Sequence, residues 1–180
     1  MNIRRVITGT GTDGSAQVLS DAAAPRAVDF VNVPGFSPTL LWATSATPQV
    51  GKGSVEDPTP TASWVPGPGG TSLMTVTFPP DSVMMRPDFD PAAFGAEFAG
   101  ALPGLAETFE QDSPGMHTTD SVDYDVVLDG EITLELDNGR EVLLKRHDVA
   151  VQHGNRHAWR NKSTAPATML FVLIGAQRRP

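Results

Sequence analysis

Residues 117–161 read HTTDSVDYDVVLDGEITLELDNGREVLLKRHDVAVQHGNRHAWRN, and this stretch decides the fold. Its residues alternate as strands do, so side chains two positions apart share a face. His117, Thr119, Ser121 and Asp123 then point one way, and so does Asp125 by the same parity. On a later strand His157 and Trp159 share a face. Pairing the two strands would bring two imidazoles and a carboxylate together inside a barrel. Two histidines and one carboxylate form the ligand set of a facial metal site with open positions, and also suit zinc with a catalytic water.

Working outward, Asp129-Gly130 and Asn138-Gly139 are two-residue hairpin signals, with Ile132, Leu134 and Leu136 alternating between them. Strands follow over 141–144, 149–152, 156–160 and 167–174. The last is a nearly continuous apolar run, as in a central strand covered on both faces. Upstream, residues 72–78 alternate cleanly, and residues 83–86 read as extended chain. Residues 4–9, 27–33 and 39–44 read as edge strands that add to a sheet. Residues 46–71, rich in Pro, Gly, Ser and Thr, form a long loop in which Trp64 either pins the chain to the core or walls a pocket mouth, the first being favoured. The single helical stretch covers about 90–110: Asp90 suits the N-cap and Pro91 the first helical position. Phe94, Phe98 and Leu102 recur at helical spacing until Pro103-Gly104 breaks it. This face packs on the outside of the sheet or lies over the barrel mouth.

The chain has 180 residues, which suits one domain with a full core. Sixteen prolines and seventeen glycines imply many turns, so the fold class is all-β. The formal net charge of -8 argues against nucleic-acid or anionic-membrane partners. With no cysteine, neither disulfide nor thiolate chemistry is available. No signal-like or membrane-spanning apolar run is present, so the expected location is cytoplasmic.

The same residues resemble the cupin superfamily, whose first motif has the form G-x5-H-x-H-x(3,4)-E-x6-G and whose second has the form G-x5-P-x-G-x2-H-x3-N. The first maps onto His117, Thr119, Asp123 and Gly130, and the second onto Gln152, Gly154, His157 and Asn161. The departures are Thr119 for the second histidine, Asp123 for the glutamate, Gln152 for the proline and His147 for a glycine. The resemblance implies a double-stranded β-helix, or jelly roll. Residues 1–180 make one domain, with an N-terminal arm, edge strands and a loop over 1–70 and the barrel over 71–178. It implies a divalent metal (Fe, Zn, Mn or Ni) on His117, Asp123 and His157, with Thr119 a weak hydroxyl ligand; a metal-free polar pocket is the alternative. It also implies a homodimer formed through exchanged N-terminal strands.

The expected function is small-molecule enzymology inside the barrel, of lyase, dehydratase, decarboxylase or isomerase type. Asp123, Asp125 and His157 are the candidate catalytic groups, while Thr119, Gln152 and Trp159 contact substrate. An inward pair of carboxyls at 123 and 125 would share a proton and raise one pKa. The alternative for Asp125 is a wet barrel mouth or pairing with Arg156 or Arg160. The rival functions are a non-haem iron dioxygenase and a non-catalytic ligand-binding module.

Overall fold

The computed structural model describes residues 2–53 and 55–179. Eleven strands appear among them, in three sheets. β1 (Arg4–Thr10) and β2 (Ala16–Ala23) form a separate antiparallel hairpin with mostly exposed side chains. β3 (Arg26–Ala27), β4 (Ser37–Thr44), β5 (Thr71–Phe78), β6 (Ser121–Asp129), β9 (Val149–His153) and β11 (Ala167–Gly175) make a six-stranded sheet in the order β3-β4-β5-β11-β6-β9. β7 (Glu131–Glu135), β8 (Glu141–Lys145) and β10 (Ala158–Arg160) make a three-stranded sheet in the order β10-β7-β8.

The two larger sheets share one core. Ile132 and Leu134 of β7 cluster with Met74 and Val76 of β5 and with Met169, Phe171 and Leu173 of β11. Trp159 of β10 meets Phe171 edge-on at 5.7 Å across the interior. Two antiparallel sheets closed around one core, with neighbours far apart in sequence, form a double-stranded β-helix.

Several local readings need correction. Residues 27–33 are not a strand: β3 stops at Ala27. Beyond it the chain curls back through Pro34-Gly35, with Gly35 at φ 91°, and Phe30 and Phe36 meet at 5.0 Å. Residues 83–86 are not extended; Asp81–Met85 form a 3-10 turn that opens after Pro80. Asp129-Gly130 is not a hairpin. β6 and β7 lie in different sheets, so this pair makes the corner between them. Gly130 sits at φ 75°, and a Cβ there would lie 2.8 Å from the Pro166 carbonyl oxygen. Asn138-Gly139 does join β7 to β8, both residues having positive φ, but the turn is three residues, Asp137–Gly139. β11 is central, yet it alternates buried and half-buried side chains rather than being covered on both faces.

Upstream, β4 hydrogen-bonds to β5, so the barrel's sheet begins before residue 71. Helix α1 (Pro91–Ala101) starts where expected: the Asp90 carboxylate accepts from the backbone N–H of Ala92 and Ala93. Its Phe94 and Phe98 pack on Phe30 and Phe36. Among the described residues no helix is long and apolar enough to cross a membrane.

Trp64 is fully buried, and its indole N–H donates to the Ala101 carbonyl at 3.2 Å. The long loop is therefore anchored from the inside, against the end of α1. Trp64→Ala should lower stability by about 3–5 kcal/mol, read as a fall in the urea midpoint with an unchanged slope.

Candidate functional site

The site is built where the two motif segments meet. His117 and His157 face each other in an antiparallel bridge, each backbone N–H donating to the other's carbonyl, at 2.9 and 3.0 Å. Gly154 makes the turn before His157; its φ of 62° and the Thr119 carbonyl, 3.1 Å from where a Cβ would stand, call for glycine. Asn161 closes the segment. It is 1% exposed and donates to the carbonyls of Phe78 and Ala165, so its role is structural.

The imidazole rings lie 4.2 Å apart at a tilt of 52°. Each Nδ1 meets a carbonyl, that of Gly115 for His117 and that of Asn155 for His157. A carbonyl only accepts, so both Nδ1 atoms carry the proton and both Nε2 atoms are left as acceptors. Burial, then the neighbouring His157, holds His117 down to about 3, and burial lowers His157 as well. Both rings are therefore neutral at physiological pH. Half-buried Phe109 stacks on His117 at 4.3 Å, covering it from the helical side.

Alternation along β6 turns Ser121, Asp123, Asp125 and Val127 into the interior and leaves Tyr124 44% exposed. Asp123 is 4% exposed and Asp125 fully buried. Gln152, opposite Asp123 on β9, donates to Asp125 Oδ2 at 2.9 Å, and Asn155 donates to the Gln152 carbonyl oxygen at 3.1 Å. The Thr119 hydroxyl points to Asp123 Oδ2 at 3.3 Å and accepts from Ser121. Oδ1 of each aspartate has no hydrogen-bond partner. Burial, then the adjacent Asp123, pushes Asp125 up to about 7; burial likewise raises Asp123.

The structure thus brings His117, His157, Thr119, Asp123, Asp125, Gln152 and Trp159 to one interior. Trp159 meets His157 edge-on at 5.9 Å. It does not assemble the three-ligand metal set. Thr119 is turned to Asp123, and among the described residues no three His, Asp or Glu groups converge to hold a metal ion. Asp125 is not paired with arginine: Arg156 is held by Glu110 and Asp137, and Arg160 by Glu135. Met74 and Phe78 face the core, whereas Arg86 lies in solvent beside Asp88. Sequence reasoning missed Asn155 and Phe109. Asn155, exposed in a turn, serves the site twice: its side chain orients Gln152 and its carbonyl sets the His157 tautomer.

The shifts act on stability in opposite senses. Folded Asp125 holds its proton more tightly than an unfolded aspartate, so its ionisation withdraws stability as pH rises from 3.8 toward about 7. The histidines resist protonation when folded and withdraw stability as pH falls below 6.5. Asp125→Asn removes the first effect alone. Its stability relative to the parent chain should grow steadily from pH 4 to pH 7, as measured by urea midpoints across that range.

Compared with known protein families, the chain matches no family model. Over 63 residues it is 59% identical to phomopsin biosynthesis cluster protein C' of Diaporthe leptostromiformis, covering 34% of this chain and 33% of that protein. Over 62 residues it is 39% identical to the cupin-domain-containing oxidoreductase virC of Hypocrea virens, covering 33% of this chain and 32% of that protein. The match spans about a third of the length of these curated relatives. Among solved structures, a cupin superfamily protein from Desulfitobacterium hafniense aligns over 58% of this chain and 67% of its own, at 14% identity and a TM-score of 0.37. With the strand order of a double-stranded β-helix and both motif segments joined across one bridge, the chain has the fold of cupins, and its matched stretch is similar to that of relatives named for this domain.

Proposed function

We propose that the chain is a small-molecule enzyme that moves protons inside its barrel, in a lyase, dehydratase, decarboxylase or isomerase type of reaction. One observation carries this reading: Asp125 is fully buried, has no cationic partner, and is raised to about 7. A carboxyl with that affinity exchanges its proton at neutral pH, as a general acid or base must. Gln152 holds Oδ2, leaving Oδ1 to face substrate. His157, neutral and with Nε2 free to accept, is the second proton carrier. Burial, then the nearby Asp123, raises the proton affinity of Asp125, and Thr119 steadies Asp123. Trp159 supplies an apolar wall.

The names of the matched relatives support small-molecule metabolism, and the word oxidoreductase in one of them favours a redox rival. A second reading is a divalent ion (Fe, Zn, Mn or Ni) on the two Nε2 atoms. Its support is the pair of Nδ1–carbonyl bonds, since metal-binding imidazoles are held in this way. The homodimer remains a proposal, supported by the exposed apolar side chains of β1 and β2 (Val6, Val18 and Leu19) and of β9 (Val149 and Val151).

The test is exchange of carbon-bound hydrogen in deuterated water, followed by NMR over a panel of small ketones and hydroxy-carbonyl compounds. Asp125→Asn and His157→Ala should each slow exchange by about 10²–10⁴-fold. Oxygen consumption that requires added Fe(II) would replace this reading with the dioxygenase. Stoichiometric metal in the purified protein, lost in His157→Ala, would replace it with the metal centre.

A further inference from the structure

The interior holds two carboxyl oxygens and a hydroxyl that no described residue pairs. Asp123 Oδ1, Asp125 Oδ1 and the Ser72 hydroxyl oxygen are buried without partners. They share one inner face of the six-stranded sheet: Ser72 of β5 stands opposite Leu173 of β11, which stands opposite Asp123 of β6. Asp125 lies one step along the same face. Buried polar atoms are nearly always paired, and a carboxylate oxygen can be paired only by a donor. Both imidazoles, with Nδ1 bound to a carbonyl, keep Nε2 as an acceptor.

Among the described residues no cationic side chain pairs with either carboxyl. No Lys or Arg is buried among the described residues. The arginines on the flanking segments are occupied: Arg156 by Glu110 and Asp137, Arg160 by Glu135 and the Pro114 carbonyl, Arg178 by Asp120 and two backbone carbonyls. An anionic ligand would meet acceptors and a negative field with nothing to neutralise it. Beside these acceptors runs an aromatic wall, Phe171 to Trp159 to His157 to His117, with ring centres 4.2–5.9 Å apart.

We propose that the barrel selects a ligand whose buried end is an uncharged or cationic hydrogen-bond donor, a hydroxyl or amino group beside a planar ring, and rejects carboxylates and phosphates. This rests on the barrel interior being the reactive site. It adds the chemical class of the substrate: an alcohol or amine end, with Asp123 and Asp125 as the residues that determine specificity.

The probes are benzylamine, benzyl alcohol and benzoate, added to the full chain and followed at the indole N–H of Trp159 in two-dimensional NMR, the signal being assigned with Trp159→Phe. Benzylamine and benzyl alcohol should shift it at concentrations at least about tenfold below benzoate. Asp125→Asn keeps an acceptor for Gln152 but turns the unpartnered oxygen into an N–H donor. It should weaken benzylamine about tenfold and strengthen benzoate. Benzoate binding as tightly as benzylamine in the parent chain overturns the ligand class and leaves the interior site standing. If no probe moves the Trp159 signal, the interior-site reading falls and takes the proposal with it. A shift that appears only with added zinc assigns the free carboxyl oxygens to a metal and overturns the proposal.

Discussion

Two backbone hydrogen bonds between His117 and His157 govern everything else in this molecule. They pin a segment that arrives from the helical region to one that arrives from β9, forty residues apart in sequence. Once that bridge forms, parity decides the rest. The imidazoles face each other, and four and six residues further along from Thr119 the β6 strand can only point its carboxyls inward or outward together. A slip of one residue would put Tyr124 in the core and both aspartates in water.

The inward choice opposes stability. Burying a carboxyl without a cation costs several kcal/mol unless it takes up a proton, and two neighbouring carboxyls cannot both ionise easily. The apolar core that surrounds them, from Leu40 and Trp64 to Met169 and Leu173, offsets that penalty. Nothing in the packing requires aspartate at 125, where an apolar residue would suit the neighbouring Val127 and Met74 environment. An aspartate that weakens the fold at this position fits the proton-transfer role proposed for it.

Much of this was legible beforehand. The alternation over 117–125 put the right side chains inside, and the Gly154, His157 and Asn161 spacing identified the fold. Asp90 and Pro91 marked the helix start through a mechanism that operates locally. What escaped depended on distant partners. Asp129-Gly130 has the chemistry of a tight turn, but whether that turn folds a strand back or sends it to a second sheet is decided by β11 and β9. The three candidate ligands looked like a metal set because their types and order matched; the hydroxyl that Thr119 turns to Asp123 lies outside any such pattern. Asn155 was overlooked because an exposed turn asparagine carries no signal of the residues it orients.

The Phe109 stack on His117 has a kinetic meaning. That ring belongs to the strap running from α1 to the first imidazole. The strap is fastened where Glu110 grips Arg156 and where Arg160 holds the Pro114 carbonyl. His117 and His157 beneath it are at most 7% exposed, so how firmly that fastening holds sets how accessible they are. Dissolved salt, by screening the Glu110–Arg156 pair, would loosen the clasp and quicken exchange of small molecules with the imidazoles beneath it.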